Sequence, residues 1–324
     1  MAGIGQANPG WEGSTPYPGA NYQSDGTQGY IPEVWAGKLI ERWYAASVIA
    51  AITNTDYEGM IKSYGDNVII RSEPAIAISD YTVGQALSYE VPGETLVELA
   101  IDTAKSWAFT IDDVQKHQSD LKLMSIFANN ASEQLKVVVD TDVLSKMQGT
   151  SHASNNGATA GAISGNIALG VTTAPVAVTE ANAVEAILRM GQALDEQNAP
   201  ETGRWVVIPA SYAAVLKDSL LRVANEVGDS TSIVRNGKIG MIDRFTVYTS
   251  NNLPNGVAAS LVAGEFNIYA GIPSSLAFAS QIVKNETLPN PDTFGELMRG
   301  LQVYGYKTVK PEGLVEMIAT IAHT

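Results

Sequence analysis

Three histidines, a surplus of carboxylates and not one cysteine bound the chemistry open to this sequence. The missing thiols exclude disulfides, thiolate metal sites and sulfur nucleophiles. His117 falls within a long helical pattern and His323 is the penultimate residue, so His152 is the imidazole that could do chemistry. In Gly149-Thr150-Ser151-His152-Ala153 it stands beside a hydroxyl, the pairing a hydrolase uses as nucleophile and base. A nucleophile elbow needs a closing glycine and a strand-to-helix turn, whereas this segment closes on alanine and follows a helical stretch. An α+β hydrolase using Ser151 and His152 is therefore the distant alternative. Asn236-Gly237-Lys238-Ile239 has a Gly-Lys pair without the flanking Ser or Thr and the earlier glycine of a phosphate loop, and reads as a surface turn. Asp140-Thr141-Asp142 and Asp112-Asp113 match no Ca²⁺ loop and have no histidine at ligand spacing; helix-surface solvation and capping account for them. No catalytic, cofactor-binding or metal residue is assigned.

The charge balance narrows the choice of partners. With 34 acidic against 20 basic residues the net charge is −14, which disfavours a protein that grips nucleic-acid phosphates. Charged residues make up 17% of the chain, below the roughly 25% of an ordinary soluble domain. A thinly charged exterior suits a protein whose surface meets other subunits, because interface cores are depleted of charge. The start, Met1-Ala2-Gly3-Ile4-Gly5-Gln6, has neither the basic nor the apolar part of a signal peptide. The charge-free runs 147–179 and 245–264 are too rich in Gly, Asn, Ser, Thr and Pro to partition into lipid, so no membrane partner is expected.

The elements follow from periodicity. Residues 1–31 carry only Glu12 and Asp25 as charges, with seven glycines, three prolines and no helix or strand period. A disordered tail would account for this; the aromatics Trp11, Tyr17, Tyr22 and Tyr30 favour an extended arm anchored on a neighbouring molecule. Residues 32–56 form a short helix, begun by Pro32-Glu33, and a connection. Between 57 and 110 the period becomes two, as in Val68-Ile69-Ile70-Arg71-Ser72, Ala75-Ile76-Ala77-Ile78-Ser79 and Val97-Glu98-Leu99-Ala100-Ile101-Asp102. The stretch 81–94 has little that could fill a core, which makes the segment a long hairpin arm with a loose tip.

Asp112 or Asp113 then caps a helix reaching residue 148, some 35 residues or roughly 50 Å at 1.5 Å per residue. Its expected core face runs through Leu121, Met124, Ala128, Ala131, Leu135 and Val138. Residues 149–174 read as a loop with a short strand at Ile167-Ala168-Leu169; a helix capped by Thr179, the strand Arg204-Trp205-Val206-Val207-Ile208 and a helix begun by Pro209 follow. The remainder is mostly strand and turn, at 245–248, 259–262, 276–278, 301–306 and 314–321.

An uncharged arm, a short helix, a long hairpin, a long helix and an α+β portion closing on late strands resemble, in that order, the major capsid proteins of tailed double-stranded DNA phages, the fold typified by phage HK97. The local marks are Gly65-Asp66-Asn67-Val68-Ile69-Ile70, Phe109-Thr110-Ile111-Asp112-Asp113-Val114, Gly203-Arg204-Trp205-Val206-Val207-Ile208-Pro209, and Thr249-Ser250-Asn251-Asn252-Leu253-Pro254. The resemblance implies an α+β fold with an N-terminal arm at 1–31, an extended hairpin (E-loop) at 57–110, spine helix and peripheral domain at 111–179, axial domain at 180–300 and return strands of the peripheral domain at 301–324. It implies a non-enzymatic shell subunit without cofactor, assembled in the host cytoplasm as hexamers and pentamers and located in the virion. Trp11, Tyr17, Tyr22, Tyr30, Arg71, Tyr81 and Tyr89 become candidate intersubunit contacts, and Leu121, Met124, Leu135 and Val138 the core of the spine helix. No long helical segment precedes the arm, which implies a separate scaffolding protein; portal and decoration proteins and packaged DNA, bound without sequence preference, complete the partners. An encapsulin-like nanocompartment of the same fold is the nearer alternative, and DNA in the particle separates the two.

Overall fold

Two segments of alternating apolar residues pair where the pattern is cleanest: β1 (Asn67–Ser72) runs antiparallel to β2 (Thr95–Ala100), with Ile70 opposite Val97 and Val68 opposite Leu99. The structure, a computed structural model, describes residues 47–56, 67–72, 76–78, 80–86, 89–91, 93, 95–113, 123–219, 240–256, 261–262, 264–291 and 294–322. These all belong to the unit formed by 42–118 and 122–324. The fold is α+β.

The expected strand at 75–79 does not form over its described residues 76–78, where Ile76 and Ile78 point into solvent with no sheet to pack on. The hairpin also ends earlier than expected. After Ala100 the chain enters β3 (Thr103–Asp112), which pairs along its whole length with β10 (Gly295–Thr308), and β10 pairs on its other edge with β9 (Leu276–Pro289). Asp112 is the last residue of β3, and the chain turns helical at the next residue, Asp113.

A second sheet has six strands: β4 (Val176–Val178), β5 (Arg204–Ile208), β6 (Met241–Ile242), β7 (Phe245–Thr249), β8 (Glu265–Gly271) and β11 (Leu314–Ile321). Their spatial order is β4-β11-β8-β5-β7-β6, parallel at β4/β11 and β5/β7 and antiparallel elsewhere. Of the stretch 301–324, β10 lies in the three-stranded sheet and β11 in the six-stranded one, between β4 and β8, where Leu314, Val315, Met317 and Ala319 are buried.

Strand β5 explains the layering. Every residue of Arg-Trp-Val-Val-Ile is buried, so both faces of the strand must be covered. Val206 and Ile208 face α3 (Ala183–Glu196) and α4 (Ala210–Asp218) within a cluster that includes Ile187, Met190, Leu194, Tyr212 and Leu216. Trp205 and Val207 face the opposite way, in a cluster with Tyr269, Leu276 and Tyr304, with Val139, Val143 and Leu144 of α2 (Leu123–Lys146), and with Met147 just beyond it. Helix α3 begins at Ala183 rather than at residue 180, because the Thr179 carbonyl first accepts the Asn182 and Ala183 N–H groups in a turn.

The buried face of α2 keeps Met124 and Leu135 and is rotated from the expected one only beyond them. Val138, assigned to the core, is 45% exposed, while Val139, Val143, Leu144 and Met147 are buried at i, i+4, i+5 and i+8. Leu135 is half-buried against the same cluster and Met124 is half-buried; Leu121 lies outside the described residues. The ring of Phe127 on α2 meets Phe109 edge-on at 5.8 Å, and Phe109 stacks on Trp107 at 5.6 Å, tying the helix to β3. A short helix, α1 (Ile49–Ile52), buries Ile49 and Ile52 against this side of the body.

Leu144→Ala should lower stability by about 2–5 kcal/mol, Leu135→Ala by less, and Val138→Ala by no more than roughly 0.5 kcal/mol. Urea unfolding midpoints check the order; a larger loss at Val138 than at Leu144 would contradict the rotated face.

Candidate functional site

The residues that could do chemistry are used to build the fold. Ser151 Oγ accepts a hydrogen bond from Asn156 Nδ2 at 3.0 Å. His152 Nδ1 accepts the Ser154 N–H at 3.2 Å, capping a single 3₁₀ turn, and stands 3.2 Å from Gln197 Nε2. The pair thus sits in a loop after α2, not on a strand-to-helix turn, and each side chain has a structural partner there. Asp140 is completely buried, so surface solvation does not describe it. Burial would raise the pKa of Asp142, but the Tyr304 hydroxyl, donating at 2.7 Å, and Lys146 Nζ at 3.0 Å hold that carboxyl below its ordinary value.

What stands apart from the body is the β1–β2 hairpin. Its inner face places Ile70 and Leu99, with Ile101 just beyond, against Ala277 and Ala279 of β9 and Val303 of β10. Gly305 of β10 lies beneath the exit of β2, where an added Cβ would come 2.2 Å from the Ala100 carbonyl oxygen and 3.0 Å from the Ile101 Cα. The outer face carries Ile69, Arg71 and Leu96, all exposed, with Arg71 opposite Leu96 and an Asn67–Glu98 hydrogen bond at its base.

Beyond the strands the described apolar side chains are left largely uncovered. Tyr81 is 62% exposed, Tyr89 87% and Val83 99%, and Ile76, Ile78 and Val91 are exposed as well. The tip nevertheless has a defined turn, in which the Gln85 N–H donates to the Thr82 carbonyl at 3.0 Å and Thr82 Oγ1 to Gln85 Oε1 at 2.8 Å. Fully burying one such side chain is worth about 1.5–3 kcal/mol, so a second surface would stabilise the group substantially. Arg71, Tyr81 and Tyr89 are therefore brought to one projecting hairpin, whereas Trp11, Tyr17, Tyr22 and Tyr30 lie outside the described residues.

The β9–β10 hairpin was not anticipated at its full length. Its turn presents Phe294, also exposed, while the Phe294 carbonyl accepts the Asp113 N–H at 3.2 Å. The signal was available in Asn290-Pro291, a turn dipeptide between two runs of strand-forming residues. A third projecting feature is the loop at 161–165, where Glu196 Oε2 accepts the N–H groups of Ile163 and Ser164, each at 2.9 Å. These bonds lower the Glu196 pKa from 4.5 to about 2.

An α+β body whose six-stranded sheet is covered on both faces, with a three-stranded sheet, a long helix and a projecting hairpin, is an arrangement found in known proteins. The model of the phage capsid protein family matches residues 95–317, and the chain belongs to that family. A chain from Mycobacterium phage Che8 is 28% identical, with a TM-score of 0.71, covering 90% of this chain and 97% of that one. The capsid of cyanophage P-SCSP1u shares the fold at 15% identity and a TM-score of 0.70, covering 91% and 94%. The mature capsid of bacteriophage PhiM1 does so at 13% identity and 0.66, covering 95% and 98%. No curated protein sequence matches. The protein is a capsid shell protein, a structural component of the virion.

Because a carboxylate with a depressed pKa stabilises the state that binds it above its unfolded value, the Glu196 contact should be complete above about pH 4.5 and lost as pH falls toward about 2. Amide exchange at Ile163 and Ser164 should accelerate across that window in the native protein and be fast at neutral pH in Glu196→Gln. Exchange at these two amides that is slow and pH-independent, after correction for intrinsic rates, would refute the assignment. Gly305→Val should loosen the hairpin without unfolding the six-stranded sheet, read as faster exchange at Leu99 with unchanged exchange at Val206; equal protection at Leu99 would contradict the close approach.

Proposed function

We propose that the chain is the major capsid protein of a tailed phage, self-assembling as hexamers and pentamers into the icosahedral head that encloses the double-stranded DNA genome. The observation that carries this is the hairpin: a projecting element whose large apolar side chains are turned away from its own subunit. In this reading Arg71, Tyr81 and Tyr89 contact the neighbouring copy, and residues 1–31 act as a second arm anchored through Trp11, Tyr17, Tyr22 and Tyr30. The three-stranded sheet with α2 serves as the peripheral part, and the six-stranded sheet with α3 and α4 as the axial part.

The physical logic supports it. A shell subunit repeats one set of contacts around five-fold and six-fold axes, and arms that reach neighbours tolerate the difference better than a rigid globule would. A net charge of −14 suits a container for polyanionic cargo, since a basic lining would hold the genome back. A separate scaffolding protein, a portal and decoration proteins act with it in the host cytoplasm. The subunit carries out no turnover chemistry; Ser151 and His152 fold a loop.

Co-expression with a scaffolding protein should give large closed particles by negative-stain microscopy, and Ser151→Ala should leave them intact. Deleting residues 82–91 from the hairpin tip should leave a folded subunit that fails to close shells. Normal shells from that deletion would remove the hairpin from assembly, and a hydrolytic activity lost in Ser151→Ala would overturn the structural role.

A further inference from the structure

A buried carboxylate joins three remote stretches of the chain. Asp140, in the third quarter of α2, is completely buried. Its Oδ1 accepts the backbone N–H groups of Val48 at 2.8 Å and Ile49 at 3.0 Å and the Ser47 hydroxyl at 3.1 Å. Its Oδ2 accepts Asn252 Nδ2 at 2.7 Å. Taking a carboxylate out of water is costly, and an apolar side chain could fill the same space without that cost, so its selective use is in specifying one arrangement.

What it specifies is the course of the chain at Ser47. Helix α1 has four residues, too few to hold itself, and its first N–H groups have no acceptor within the helix. Val48 offers no side-chain cap; Asp140 supplies the acceptor from 92 residues away. A few residues later the chain is fixed a second time, where the Asn54 N–H donates to the Leu276 carbonyl at 2.8 Å and the Asn54 carbonyl accepts the Phe278 N–H at 3.0 Å. We propose that Asp140 is the positioning residue of this anchor: with Asn252 it fixes Ser47, Val48 and Ile49 to the body, and the shell contacts of the N-terminal arm at 1–31 depend on that fixed point. The proposal rests on the reading that this arm reaches a neighbouring subunit in the shell.

The donor and acceptor pattern supplies the test. In Asp140→Asn an amide N–H faces either Asn252 Nδ2 or the Val48 and Ile49 N–H groups, and relief requires the buried Asn252 amide to turn over. In Asn252→Asp two carboxylates face each other. In the double variant the new amide donates to the new carboxylate while its oxygen still accepts from Val48 and Ile49. Hydrogen exchange of the full chain as free subunits should show Val48 and Ile49 at least tenfold less protected in each single variant, with Val206 and Ile268 unchanged. Shells formed with scaffolding protein should be few and irregular. The double variant should restore both readouts.

Unchanged protection at Val48 and Ile49 in Asp140→Asn would overturn the proposal, as would normal shells despite lost protection, or a double variant that restores neither. If Asp140→Asn does not fold, the double variant against Asn252→Asp decides the same question. Failure of the unaltered chain to form shells would instead sink the shell reading, while exchange at Val48 and Ile49 would still decide whether Asp140 holds this segment.

Discussion

The distance between Gly305 and the backbone at Ala100 and Ile101 is the constraint on which the architecture turns. With 2.2 Å between the Ala100 carbonyl oxygen and the place a Cβ would occupy, only glycine lets the end of β2 cross directly over β10. β10 is already bonded on both edges, to β3 and β9, and cannot move aside. The hairpin, the three-stranded sheet and α2, whose Asp142 accepts the Tyr304 hydroxyl, are thereby held to one another at a single strand. From that crossing the hairpin must project, because its inner face is occupied by Ala277, Ala279 and Val303 and the tip has no body beneath it.

A two-stranded hairpin is marginal by itself, and three or more strands or a packed surface are needed to hold one. This subunit covers the root of its hairpin and leaves the outer part uncovered. Evolution ordinarily blunts exposed edges and apolar patches, since they invite association. Keeping them is intelligible in a capsid protein, whose surface meets neighbouring copies. The same reasoning relates the low charged fraction to function, for charge placed on such surfaces would have to be desolvated at each contact.

The order of elements and the strongest strands were legible in the sequence because burial on one or both faces leaves a pattern, as in Val68-Ile69-Ile70 and in Trp205-Val206-Val207-Ile208. What could not be read was pairing between distant segments. β8 was missed although Phe266-Asn267-Ile268-Tyr269-Ala270 is strand-like, since a polar Asn267 at a fully buried position masks the run. The helix stripe is legible through Met124 and Leu135 but not beyond, because Val137, Val138 and Val139 are equivalent by composition and packing with Trp205 and Tyr304 selects Val139. Asp140 and Asp142 were read as surface groups for the same reason: their partners, Val48, Asn252 and Tyr304, lie far along the chain. The hairpin is legible in part: the alternation of Val68, Ile70, Val97 and Leu99 marks β1 and β2, whereas Ile76 and Ile78 mimic a strand that has no partner.

The most direct measurement is a cryo-electron-microscopy reconstruction of the assembled particle at side-chain resolution. The account predicts that Tyr81, Val83, Tyr89 and Val91, all exposed in the single subunit, are buried against a neighbouring copy in every quasi-equivalent position. A closed shell in which these side chains remain in solvent would contradict it.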